Sequence, residues 1–530
     1  MSFWWLAALL TLPLQIPRPA AAEENARELH AAYRSILQAE ATGLKGLAEQ
    51  RDRAGDAEGA RSVRARLPRF STPDGPTRFA PLPDVIAPPA IAAGHAPDGQ
   101  VDERLAQSAT GFFDLAQRAA KANPPRYALA GACLRAVLER QPDHAEARRL
   151  LGYIPHERGW ARPFAVEQFR KGFIDHPVFG WVKADWKPHL ERGELPSPPS
   201  RGAVRWLPAA EADRLRAEWK PPWQIPTEHF QIQSNVPLAE VISFGRRLEA
   251  FHDLFMAIMA DVQGDNSPLA RRLREARLTG EPPSKRHVVY YFASRQEYLD
   301  YLRPTYGANV ERSIGFYDPP RSSTGRNPAY FFRDPDGDLP VTANLYHEVS
   351  HQLLFETAGP NHYTQNAGNY WVFEGLGTYF ETVEPQSDGS LEVGGRAGRR
   401  MEEAIRSMAL LGRTIPLEQF VGYDETTFAH DDPAIYLRYQ QAMALTVFLM
   451  QWHDGAYREG FLDYVRDAYR GRIRATTGRK LQDRVGEGYP ALESQLLDFL
   501  KGPEHAVAGP KPAAKPKAAP GGAIRTVPKS

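Results

Sequence analysis

Cysteine is almost missing from this chain: Cys133 is the single thiol in 530 residues. No internal disulfide can form and a cysteine-rich metal cluster is excluded, so the fold must be held by core burial. Cys133 itself lies in a helical apolar pattern and reads as plain core. Net charge is missing too. The 65 Lys and Arg are balanced by 64 Asp and Glu, which removes any bulk electrostatic case for nucleic acid or anionic membrane as a partner. No apolar run reaches the ~20 residues that a membrane-spanning helix needs. The apolar segment Phe3 to Ile16, followed by Ala20-Ala21-Ala22 before Glu23, reads instead as an export signal over residues 1–22. It departs from the usual form in having no Lys or Arg ahead of the apolar run, so an uncleaved anchor is the alternative. The expected location is therefore exported: periplasm, cell envelope or medium.

What is present is concentrated in residues 346–356, Tyr-His-Glu-Val-Ser-His-Gln-Leu-Leu-Phe-Glu. His347, Glu348 and His351 form H-E-x-x-H. On a helix, positions i and i+4 share a face, so two imidazoles can point at one metal ion. Glu348 is then placed to reach a water in the metal's open position without ligating, which is the pattern of a zinc-dependent hydrolase. Asp338 and Pro340 give a helix start, Leu345, Val349 and Leu353 recur at helical spacing, and Gly359 and Pro360 end the run. The plain alternative is a buried helix with two satisfied histidines.

A catalytic zinc needs three protein ligands and one open position. Leu354 and Thr357 occupy the places where a metzincin would carry Gly and a third His, so that class is out. Glu356 is turned off the ligand face, and His362 would have to fold back from a loop. Glu374 is the better candidate. It is the one buried-looking carboxylate in the apolar, aromatic stretch from Asn369 to Glu381, and a buried carboxylate is costly unless paired or bound to metal. Gly375 and Gly377 beside it permit close helix approach. An exposed Glu374 on an ordinary amphipathic helix is the alternative.

The two motifs together resemble the gluzincin metallopeptidases, in which H-E-x-x-H is followed by a helix carrying Glu in an N-E-G-x-A-x-Y-like setting. Phe373 to Tyr379 is similar to that second motif, with Phe373 and Gly377 in place of its Asn and Ala. The resemblance implies Zn2+ held by His347, His351 and Glu374, with Glu348 as general base. Aminopeptidase-N relatives place a Tyr at a helix start further on; Tyr439 matches, with Tyr436 one turn earlier as its competitor, and the implied role is hydrogen bonding to the tetrahedral intermediate. Glu381 or Thr378 is expected to fix an imidazole tautomer. Two departures matter. The spacing from His351 to Glu374 is longer than in aminopeptidase N, and the G-x-M-E-N motif that holds a free amino terminus is absent, the corresponding region reading Gly325 to Phe332. The resemblance therefore implies an endopeptidase acting on peptide or protein. The stretch from about Thr227 to Leu500 looks most like an exported bacterial domain-of-unknown-function family. A catalytically idle binding or scaffold protein of the cell envelope is the rival reading, and a zinc hydrolase of cell-wall crosslinks is a third.

At this length two or three domains are expected. The expected class is α+β: a zincin-like domain at 227–502, with a small mixed sheet and then a helical lobe. A mostly helical region at 23–200 should precede it, interrupted by a Pro/Gly linker from Pro68 to Gly99. Ala130 to Gly152 resembles half of a tetratricopeptide repeat, but no clear repeat recurs at that period, so a solenoid is not supported. This helical region is a candidate surface for a protein partner. Gly159-Trp160-Ala161 and Gly180-Trp181-Val182 stand out without a derivable role. His229 to Ser234 and His287 to Phe292 read as strands and Leu238 to Met259 as a helix. Ala329 to Phe332 is expected to be a substrate-binding edge strand, or else merely to complete the sheet. Helices are expected at Met401 to Leu411, Tyr436 to Trp452 and Tyr457 to Tyr469. The tail 503–530 is Pro/Ala/Lys rich and expected to be disordered, with Lys511, Lys515 and Lys517 solvated.

Overall fold

The computed structural model describes residues 20–505, apart from 71–73, 87–97, 158, 199–203, 218, 220, 275–284, 321–325, 338, 359–367 and 474–479. The apolar segment ending at Ile16, Asp338, His362 and the tail lysines lie outside the described residues. The architecture is mixed α and β, mostly helical with small sheets. No helix among the described residues is long and apolar enough to cross a membrane.

Helix α1 (Ala20–Arg53) opens the chain, and α2 (Gly99–Lys121) and α3 (Tyr127–Arg140) pack with it. Leu29, Phe112, Leu115, Leu134 and Val137 share one apolar core there, with Cys133 fully buried among them. The Pro/Gly stretch between α1 and α2 is more than a linker. Strand β1 (Thr77–Phe79) pairs antiparallel with Leu391–Val393, over three hundred residues on, and β2 (Val85–Ile86) pairs with Gly159–Ala161. The expectation of a helical region to residue 200 also needs correction, because beyond Leu150 the chain turns to hairpins. Phe173–His176 pairs with Gly180–Lys183, and Glu194–Pro196 with Trp206–Pro208. The two Trp motifs are strands of these small sheets. Gly180 sits at φ +65 where the hairpin turns, and Trp181 packs edge-on to Phe164 and Phe169.

The main sheet is built from β3 (Trp223–Pro226), β4 (Phe230–Ser234), β5 (His287–Phe292), β6 (Phe316–Tyr317) and β7 (Ala329–Phe332), in the spatial order β6-β7-β5-β4-β3. The inner strands β4, β5 and β7 run parallel, while β3 and β6 flank them antiparallel. Helix α4 (Leu238–Ile258) makes the crossover from β4 to β5, burying Val241, Phe244, Leu248, Phe251 and Phe255 at helical spacing. Strand β4 buries Phe230, Ile232 and Ser234 alternately, as its period-2 pattern predicts. Strand β7 is not an edge. All four of its residues are buried, and β6 hydrogen-bonds along its outer side through Phe316–Tyr330 and Tyr317–Ala329. Its unbroken apolar run is the mark of a strand covered on both faces. The edge role passes to β6.

Past the sheet come α5 (Val341–Ala358), α6 (Tyr370–Phe380), β8 (Leu391–Val393), α7 (Arg399–Ala404), α8 (Ile435–Gly455) and α9 (Arg458–Tyr469). One contiguous core joins the sheet, α4 and these helices through residues such as Phe251, Tyr346, Leu353, Trp371, Phe380 and Phe448. The N-terminal helices are fastened to this unit by charge. Arg126, 2 % exposed, forks onto Asp463 of α9 at 3.1 and 3.2 Å and reaches Glu459 at 3.0 Å.

Candidate metal centre

Helix α5 carries both histidines of the motif on the face turned toward α6, with Leu345, Val349 and Leu353 buried in the core. The His347 and His351 rings stand nearly perpendicular (84°) with centroids 4.7 Å apart. Helix α6 brings Glu374 to them. Its Oε2 lies 3.3 Å from His347 Nε2 and 3.9 Å from His351 Nε2. Metal–ligand bonds of about 2.0–2.1 Å in a tetrahedron place ligand atoms about 3.3–3.4 Å apart, so the three donors already stand close to a zinc-sized ring. All three residues are buried.

Two further observations bear on whether a metal fits. His351 Nε2 is buried and has no hydrogen-bond partner, although Phe373 stacks on its ring at 3.8 Å and fixes its plane. Gly377 leaves open the space beside the other donor, since a Cβ there would meet His347 Nε2 at 2.7 Å. Gly375 serves a different contact. A Cβ on it would run into Thr446 Oγ1 and approach the Ala442 carbonyl of α8 to 3.1 Å. The glycine pair thus lets α6 sit tightly against helices on both sides.

The local electrostatics call for a cation. Burial opposes charge on His347, yet the carboxylates of Glu374 and Glu381, accepting from its ring, outweigh it and lift its pKa to about 10. In the metal-free protein a proton is drawn to where a metal would sit. Glu374 is held down at about 2: burial alone would raise it, but the hydrogen bond and charge of His347 prevail. His351 is pushed down to about 3 by burial and by His347, so its lone pair stays free. The donor set, its spacing and this charge demand fit a zinc ion.

Glu348 sits beside the ligand set and is tied to the sheet. Its Oε2 accepts the Tyr317 backbone N–H of β6 at 3.0 Å, and burial raises its carboxyl to about 7, with Glu374 and Glu381 adding to the rise. Tyr439 is half-buried near Glu374, and burial with that carboxylate pushes its phenol far up. Tyr436 is 72 % exposed and takes no part. Of the two residues expected to fix a tautomer, Glu381 sits with Oε1 2.8 Å from His347 Nδ1. Thr378 spends its hydroxyl on the carbonyls of Glu374 and Gly375 within its own helix. Glu356 is far from the ligand set in function, paired with His287 Nδ1 at 2.5 Å and Arg326 at 3.1 Å.

Two residues escaped the sequence reading. Tyr370 donates from its hydroxyl to Glu374 Oε1 at 3.1 Å; its i, i+4 spacing to Glu374 was a legible signal. Arg400 of α7 donates from Nε to Glu381 Oε2 at 2.7 Å, and nothing in its neighbourhood along the chain pointed to it.

A second trio with the same donor types, His229, Glu249 and His252, lies where the start of β4 meets the second half of α4. There the two imidazoles are stacked 3.7 Å apart and within 18° of parallel, and His229 Nδ1 is hydrogen-bonded to Glu249 Oε2 at 2.6 Å. Metal bonds lie in the ring plane, and two near-parallel planes at that spacing share no point about 2 Å from both nitrogens. Glu249 clamps His229 here, while His252 Nδ1 stays buried without a hydrogen-bond partner, and it is the stacking of the two rings that sets this trio apart from the first. Comparison of the chain with protein-family models, with characterised proteins and with solved structures finds no match.

Proposed function

We propose that the chain is an exported zinc-dependent peptidase of gluzincin type, acting within peptide chains. The observation that carries this reading is the convergence of three buried donors around the partnerless His351 Nε2, with Glu348 beside them. His347, His351 and Glu374 would hold the ion; a zinc there supplies Lewis acidity and a more acidic water.

The chain's own residues do the rest. Glu348, with a carboxyl near neutrality, takes the proton of the attacking water and returns it to the leaving amine. Tyr439 donates to the oxygen that gains charge as the carbonyl is attacked, with Tyr370 holding Glu374 from its other oxygen. Strand β6 is the outer strand of the sheet and lies against the general base, so extended substrate backbone is proposed to add there rather than on β7. The absence of an amino-terminus-binding motif favours cleavage inside a chain. The N-terminal helices remain the proposed surface for a protein partner.

The test is full-length protein assayed for bound zinc and for cleavage of an unfolded protein, with Glu348→Gln alongside. The expected result is about one zinc per chain in both and a ~10²–10⁴-fold loss of cleavage in the variant. Zinc in both with equal inactivity would instead favour an idle binding protein, and no zinc in either would remove the reading.

A further inference from the structure

The metal-facing nitrogen of His347 is only as well placed as the group on its other side. For Nε2 to offer a lone pair, Nδ1 must carry the hydrogen, and Glu381 Oε1 at 2.8 Å is its acceptor. Glu381 is poorly placed to stay there unaided. It follows the last residue of α6, at the helix end where the backbone dipole disfavours an anion. Glu374 lies seven residues earlier on the same helix face, and Glu348 stands close enough to raise its own pKa by interaction with Glu381. Nothing in α6 supplies a compensating positive charge, since the helix contains no Lys, Arg or His.

The compensation comes from outside that helix. Arg400 reaches back from α7 and donates from Nε to Glu381 Oε2 at 2.7 Å, leaving Oε1 for the imidazole. The same guanidinium lies over the Tyr439 ring, 5.5 Å from its centre. One cation therefore touches both the carboxylate behind a metal ligand and the phenol that borders the reacting position. Lysine would not match it, because the contact uses the side-on Nε of a planar group whose remainder spreads over a ring.

We propose that Arg400 is a positioning residue for the metal centre: it pins Glu381, which orients His347, and it sets the place of Tyr439. This rests on the zinc reading above. The role differs from that of the ligands because Arg400 touches neither the ion's place nor its three donors directly.

The test is the zinc dissociation constant of the full chain, read by competition with a chromophoric chelator, for the native protein and for Arg400→Met, Arg400→Lys, Glu381→Ala and the Arg400→Met/Glu381→Ala double variant. Arg400→Met is expected to weaken zinc binding ~10–100-fold, Arg400→Lys to recover only part of that, and the double variant to be no weaker than Glu381→Ala alone. Substitution with cobalt adds a readout of geometry, with the visible bands shifted in Arg400→Met and Glu381→Ala alike. Thermal melts of the metal-free proteins separate this from general unfolding, and Glu381→Ala gives an independent route should Arg400→Met fail to fold. Zinc affinity within twofold of native in Arg400→Met, or fully additive losses in the double variant, would overturn the proposal while leaving the zinc reading intact. A native chain that binds zinc no more tightly than His351→Ala would overturn both.

Discussion

Two trios of identical composition, two histidines and one glutamate each, sit in one protein with the same atoms arranged in opposite ways. At His347, His351 and Glu374 the rings are perpendicular, one nitrogen has no partner, and the carboxylate stands 3.3 and 3.9 Å away. At His229, Glu249 and His252 the rings lie face to face and the carboxylate has already closed on one of them at 2.6 Å. There Glu249 also accepts from Thr227 Oγ1 at 2.5 Å and from the His229 backbone at 2.8 Å. Residue identity does not decide between a cation site and a clamp. Ring orientation does, because a buried imidazole nitrogen without a partner occurs in both trios, His351 Nε2 in one and His252 Nδ1 in the other.

The largest effect that would break this contrast is on metal content. His351→Ala should lose essentially all bound zinc, whereas His252→Ala should leave the zinc-to-protein ratio unchanged by atomic absorption. Equal losses would mean that the clamp also binds metal. Next in size is Gly377→Ala, whose methyl would press on His347 Nε2; a ~10-fold or greater weakening of zinc binding is expected from that displaced imidazole. Gly46→Ala serves as the control, because a Cβ there meets nothing within 4 Å and the change should be neutral or slightly stabilising.

A smaller effect is expected at the clamp. Glu249→Leu strands the His229 ring and its neighbours' donors, and should cost about 1–3 kcal/mol in urea unfolding without altering zinc. The smallest is a pH dependence. Burial and the neighbouring His229 hold His252 well below its ordinary range, so it stays neutral when folded. Unfolding restores an ordinary imidazole, so the unfolded chain takes up more protons below about pH 6.5, and stability is lost as pH falls through that region. His229 acts in the reverse sense. Burial lowers it, but Glu249 prevails and raises it, so its contribution is complete below about pH 6.5 and fades as pH rises through the raised value. His252→Phe should therefore lose less thermal stability than the native chain between pH 7 and pH 5; parallel melting curves would show that the stacked ring has no such role.

Much of the first trio was open to reading along the chain because its spacing is local. His347 and His351 are one helical turn apart, and Glu374 betrayed itself as a lone carboxylate among Trp371, Val372, Phe373 and Leu376. The second trio was not, since His229 ends a loop while Glu249 and His252 look like the polar face of an amphipathic helix; only the packing of α4 on the sheet brings them together. The edge strand was misassigned for a related reason. Ala329 to Phe332 looks apolar enough for any strand, and its partner Phe316–Tyr317 is too short to announce itself by alternation. Arg400 left no mark either, because a cation nineteen residues beyond Glu381 shares no period with it.

The pairing of Thr77–Phe79 with Leu391–Val393 has a practical corollary for anyone dividing this protein into pieces. A fragment cut at residue 227, just ahead of the main sheet's inner strands, would leave β8 with an open edge just ahead of α7 and Arg400. It would also strip Arg126 from between Asp463 and Glu459, leaving Asp463 with Arg466 alone and Glu459 without either Arg126 or His30. The smallest piece with a claim to autonomy therefore starts before Thr77, and the leading helices travel with the C-terminal half as one unit.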